Sequence, residues 1–85
     1  RNSTGGSNVA IGINALGATT IGVCNTAVGF NSLFSNTIGN SNTAVGHQSL
    51  TNNTTGAYNV AVGRLALRDN TIASANTAMG NAALL

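Results

Sequence analysis

The chain has 85 residues, of which three are cationic and one is acidic, giving a net charge of +2. So few charges exclude the dense basic patch that a nucleic-acid backbone requires, and one acid with one histidine leaves no paired carboxylates or nucleophile–base couple for catalysis. Apolar residues make up 42%, but thirteen of them are alanine and only two Phe and one Tyr are present, so the core of a lone chain is thin.

Asn, Thr, Ser and Gly form about half of the chain, a composition that alone suits a disordered segment. Periodicity overrides that reading. The stretch "NTAVGFNSLFSNTIGNS" at residues 25–41 is followed at once by "NTAVGHQSLTNNTTGAY" at 42–58, and the same register covers the whole sequence. A partial coil at 1–7 precedes coils at 8–24, 25–41, 42–58 and 59–75, and a last one at 76–85, all seventeen residues apart. A fixed period marks one structural unit stacked on copies of itself, a solenoid. Because the chain opens in the middle of a coil, without Met, signal peptide or apolar run, it is expected to be a segment of a longer fibre or adhesin that inserts into no membrane itself.

Counted from its opening Asn, each coil has four places that never change: Asn at position 1, Ala at 3, Gly at 5 and Leu at 9. Positions 2 to 4, "TAV" or "VAI", are rich in β-branched residues and end at a Gly suited to a turn, which predicts a short strand. Both strand faces are uncharged, so burial on both sides is expected. A second strand is predicted over positions 12 to 14, "NTI", "NTT" or "TTI", closed by Gly5, Gly22, Gly39 and Gly56 at position 15, where Ala73 breaks the pattern. Leu at position 9 and the Ile or Thr at position 14 (Thr4, Ile21, Ile38, Thr55, Ile72) are expected to fill the coil interior. The Asn column belongs at a corner, its amides bonded to turn backbone and to the Asn of adjacent coils. The fold class is therefore all-β, a parallel β-solenoid of seventeen-residue coils; no segment of ten good helix formers competes with it.

The pattern "NTAVGxxSLxxNTTGxxN", plainest at residues 42–59, resembles the YadA-like head repeats of trimeric autotransporter adhesins and the related repeats of phage and viral tail fibres. The resemblance covers essentially the whole chain. It implies a left-handed parallel β-roll assembled as an intertwined or side-by-side homotrimer. It further implies an extracellular place, on a virion tail fibre or on a bacterial cell surface and outer membrane, and a role in attachment to a host-cell glycan or protein receptor. The residues favour a trimer more weakly on their own account: a strand apolar on both faces in so thin a coil needs a second surface, and small Ala and Gly permit close approach.

Columns fixed for packing cannot also vary for recognition, so candidate receptor contacts fall at the variable positions: Phe30, Phe34, His47, Gln48, Tyr58, Arg64 and Arg68. Phe30 and Phe34 equally suit packing on neighbouring coils. His47 at position 6 is expected to be solvated or packed on a rim; a three-histidine metal or anion site on a trimer axis would need that position to face inward. Arg64, Arg68 and Asp69 read as a solvated edge of one coil. Lone Cys24, expected to be semi-buried, permits no disulfide framework or cysteine zinc site. The sequons at Asn2, Asn52 and Asn53 follow from an Asn- and Thr-rich repeat. No cofactor is expected. Rival readings are a rigid spacer without ligand, or an ice-binding surface built on the Thr column at position 13 (Thr20, Thr37, Thr54, Thr71, with Ser3 below).

Overall fold

The computed structural model describes residues 7–18 and 21–84. Arg1, Asn2, Ser3, Thr4 and Gly5 of the partial coil, and Thr20 of the threonine column, lie outside the described residues. The fold is a parallel β-solenoid with one strand per coil. β1 (Val9–Ile11), β2 (Thr26–Val28), β3 (Thr43–Val45), β4 (Val60–Val62) and β5 (Thr77–Met79) form a single sheet in that order. Every pairing is parallel and joins equivalent places of successive coils, as Ala10 to Ala27, Ala27 to Ala44, Ala44 to Ala61 and Ala61 to Ala78. The seventeen-residue period is thus the chain length needed to leave one strand and return beside it.

The strands β2 to β5 turn their central Ala inward and their flanking residues outward, as the two-residue repeat of a strand dictates, while Ala10 of β1 is exposed. Ala27, Ala44 and Ala61 are fully buried, while positions 2 and 4 are half-buried within the three inner coils and exposed in the outer two. Burial on both strand faces, expected from the sequence, is therefore not met in the single chain: a coil this small has one interior. Across that interior the Ala column meets Leu16, Leu33, Leu50 and Leu67 at position 9, with Ala15 and Ala66 beside them at position 8. The molecule measures 16 Å across its shortest axis, which leaves room for one layer of side chains.

From the Gly at position 5 the chain turns three times in succession. In the third coil, Ser49 N donates to Gly46 O, Thr51 N to Gln48 O and Asn53 N to Leu50 O. Gln48 and Leu50, the third residues of the first two turns, have φ of 57° and 52°, the positive φ that a type II turn requires there. The column at position 17 has positive φ too, as at Cys24, Ser41 and Tyr58.

The second strand expected over positions 12 to 14 does not form. Thr37 N and Gly39 N both donate to Thr54 O, and Thr54 N and Gly56 N both donate to Thr71 O, so one carbonyl serves two donors where a ladder would use two. Position 14 consequently points outward, and Ile21, Ile38 and Ile72 are exposed instead of filling the coil. Asparagine fills that part of the interior. Gly39, expected to close that strand, has no positive φ; a Cβ placed on it would stand 2.5 Å from Gly56 O of the next coil. Position 15 is glycine because two backbones touch there, and Ala73 needs no special turn. Cys24 is exposed rather than semi-buried.

Candidate functional site

Two asparagine ladders hold the coil in shape and so fix where its surface columns lie. At position 1, Asn42 Oδ1 accepts the backbone N–H of Asn59 at 3.0 Å, and its Nδ2 donates to Gly56 O at 2.8 Å. Asn25 makes the same two bonds one coil below. At position 12, Asn53 Nδ2 bonds Asn36 Oδ1 at 3.0 Å and Gly56 O at 3.1 Å, and Asn70 Nδ2 bonds Asn53 Oδ1 at 2.9 Å. Both ladders thus converge on the position-15 carbonyl of their own coil. Ser32 and Ser49, buried at position 8, donate to Ala44 O and Ala61 O of the next strand, each at 3.0 Å. The sequon at Asn53 lies inside this network, where no glycan has room.

Three surface columns carry the candidate contacts. Position 6 runs Ile13, Phe30, His47, Arg64, Asn81, all exposed. Its register is held by backbone bonds from Gln48 N to Phe30 O at 2.8 Å, Leu65 N to His47 O at 2.9 Å and Ala82 N to Arg64 O at 2.7 Å. Phe30 and His47 stack, with ring centroids 5.2 Å apart and planes at 23°. His47 therefore stands on the outer rim of its chain. Gln48, next to it, is half-buried and occupied as a turn residue.

Position 10 carries Phe34 and Arg68. Phe34 lies across Gly17 of the coil below, where a Cβ would meet its ring at 2.8 Å, so this ring is partly used in packing. The same ring borders an open cleft of about 470 Å³ with Ala10, Gly12, Asn14, Ala15 and Gly17. Arg68 pairs with Asp69 at 3.1 Å, and Asn52 Nδ2 donates to the same carboxylate oxygen at 3.4 Å. Tyr58 is 69% exposed at position 17. It precedes the strand whereas position 6 follows it, so the length of a strand separates Tyr58 from Phe30, His47 and Arg64. The seven candidates therefore divide into a compact group of Phe30, His47, Gln48 and Arg64, a second column of Phe34 and Arg68, and an isolated Tyr58.

The threonine column does not offer a free hydroxyl array in its middle: Thr37 Oγ1 and Thr54 Oγ1 each lean on the carbonyl of the next threonine, at 3.5 and 3.4 Å. Among the described residues, no three His, Cys, Asp or Glu side chains gather as metal ligands would. The surface that sequence reasoning missed is the outward isoleucine column at position 14. Its alternation of Ile with Thr55 suits a half-exposed site better than a core, where a buried hydroxyl would need a partner.

No protein family, curated protein or solved structure matches the chain.

Proposed function

We propose that this chain is a rigid, non-catalytic segment of an extracellular trimeric fibre, the shaft of a tail fibre or the head of an adhesin, built as a left-handed β-roll. Three copies pack side by side around a common axis, and the assembly displays its variable columns to a host-cell glycan or protein receptor. One observation carries the reading: the charges are confined to one arc of the coil, where Ile13, Phe30 and Phe34 are exposed beside them, and leave the other arc without any. Every charged side chain of the sequence stands at position 6, 10 or 11. The arc from position 12 through the strand to position 4 has none, yet it exposes Ile21, Ile38, Ile72, Val9, Ile11 and Met79. An uncharged apolar arc of this extent on so thin a solenoid needs a cover, and cyclic symmetry gives each copy the same one.

The resemblance to adhesin-head and tail-fibre repeats supports the same assembly and supplies the left hand of the coil. Repetition then has a mechanical meaning, because each coil presents the same face to the coil above and to the partner copies. Light scattering on the purified chain is expected to give a trimer mass. A monomer near 8.4 kDa at micromolar concentration would refute the assembly. Display is tested by alanine replacement of His47, Tyr58, Arg64 and Arg68 together in the trimer. If the fibre still attaches to cells, the segment is a spacer and the receptor site lies elsewhere.

A further inference from the structure

We infer that the position-6 column binds acidic saccharides, with a pyranose ring on the Phe30–His47 pair and its carboxylate or sulfate on Arg64. This rests on the reading of the segment as a display element and names the chemistry it displays. Phe30 is 41% exposed and its ring is held in near-parallel contact with the His47 imidazole, so the contact covers one face of each ring, fixes both rings in place and leaves the outer face of the stack for a sugar. Aromatic faces attract the polarised C–H groups of a sugar ring through the quadrupole that also attracts cations.

Arg64 stands one coil above His47 in the same column, in register through the Leu65 N to His47 O bond of 2.9 Å. The interval of about 4.8 Å between coils is within the reach of its side chain. Among the described residues its charge is uncompensated: the sequence has one acidic side chain, Asp69, and that carboxylate is taken by Arg68. A guanidinium one coil along the column from a stacked aromatic pair selects a ligand with a flat apolar face and an adjacent anion, since guanidinium pairs with carboxylate or sulfate in a bidentate way. Single-stranded nucleic acid shares the stacking but needs far more positive charge than +2. An acidic peptide would use Arg64 and leave the aromatic pair idle.

The test is titration of the assembled 85-residue protein, followed by NMR shifts of the Phe30 and His47 rings. Three probes are used: a glucuronate-terminated disaccharide, a sulfated disaccharide and their neutral counterpart. Saturable binding near 1 mM is expected for at least one acidic probe, about tenfold tighter than for the neutral one. Phe30→Ala and, independently, His47→Ala should abolish binding of all three. Arg64→Gln should bring the acidic probe down to the level of the neutral one with melting temperature unchanged. Absence of saturable binding, an acidic preference that survives Arg64→Gln, or equal competition by an oligoglutamate peptide would overturn the inference. Mass measured on the same samples keeps the two readings apart: a trimer without sugar binding refutes the ligand alone, and a sugar-binding monomer refutes the assembly alone.

Discussion

Leu33 and Leu50 hold φ of 51° and 52°, a left-handed backbone that costs an L-residue about 1–2 kcal/mol. Their side chains are nevertheless completely buried, and Leu50 N donates to Ala66 O at 3.0 Å. Burying a leucine contributes roughly 1.5–3 kcal/mol, so burial together with the hydrogen bond outweighs the backbone term. Two consequences can be measured by thermal or denaturant unfolding. Leu50→Ala should cost about 2–5 kcal/mol, since the one-layer interior offers nothing to fill the gap. Leu50→Ile should also destabilise, although it keeps the apolar volume, because a β-branched residue resists positive φ. Gly46 makes the complementary case. It has φ of 130°, and a Cβ there would lie 2.6 Å from Gly63 O and 2.7 Å from Gly63 C, while its neighbour His47 is exposed. Gly46→Val should therefore lower the melting temperature far more than His47→Ala; equal losses would mean that the coils do not approach as closely as described.

A coil of this size holds together through its corners more than through its strand, which has only three residues. Asn42 is the test. Its Oδ1 satisfies the buried Asn59 N–H, while its Nδ2 shares the Gly56 carbonyl with Asn53, so its loss orphans the N–H alone, and an orphaned buried group costs about 1–3 kcal/mol. Asn42→Ala should thus cost roughly 1–3 kcal/mol, against little change for Asn81→Ala on the exposed rim; matched melting curves would show that water can replace the amide. The strand, the parallel stacking and this corner could be read from the sequence, because identical residues seventeen apart must meet their own copies. The second half of the coil could not be read so well. "NTI" and "NTT" have strand composition, but Asn36 and Asn53 turn their amides inward to one carbonyl and thereby hold the chain in a bend. That inward turn sends Ile38 outward and reverses the expected filling of the core. A signal for the three left-handed places was present and unused: positions 7, 9 and 17 contain no Val, Ile or Thr in any coil, in a chain otherwise full of them. The grouping of Phe30 with His47 was legible as a shared column, whereas their ring stacking depends on side-chain directions that spacing does not give.

At the scale of the whole molecule, the sorting of charge on which the proposed assembly rests also says where that assembly would be fragile. Ile38 is 47% exposed on the uncharged arc, and Asn52 is exposed at position 11 on the charged one, already bonded to Asp69. In a single chain both sites border solvent, so Ile38→Asp and Asn52→Asp should disturb the coil little, Asn52→Asp somewhat the more because its carboxylate replaces a donor to Asp69. In a trimer they differ. Ile38→Asp would bury three carboxylates with no cation on the arc to pair them, at several kcal/mol for each ion by order of magnitude, whereas Asn52→Asp would leave its charge in water, beside the Arg68–Asp69 pair. The expected outcome is a trimer mass for Asn52→Asp and for the unaltered chain, and monomer or non-specific aggregate for Ile38→Asp, with lower thermal stability because folding and association are linked. If Ile38→Asp remains a trimer of unchanged melting temperature, the copies meet through another face. Val45→Asp at position 4 then decides whether that face is the outer side of the strand, since a trimer that tolerates both carboxylates would place the axis on the charged arc and remove the argument for displaying Phe30, His47 and Arg64 outward.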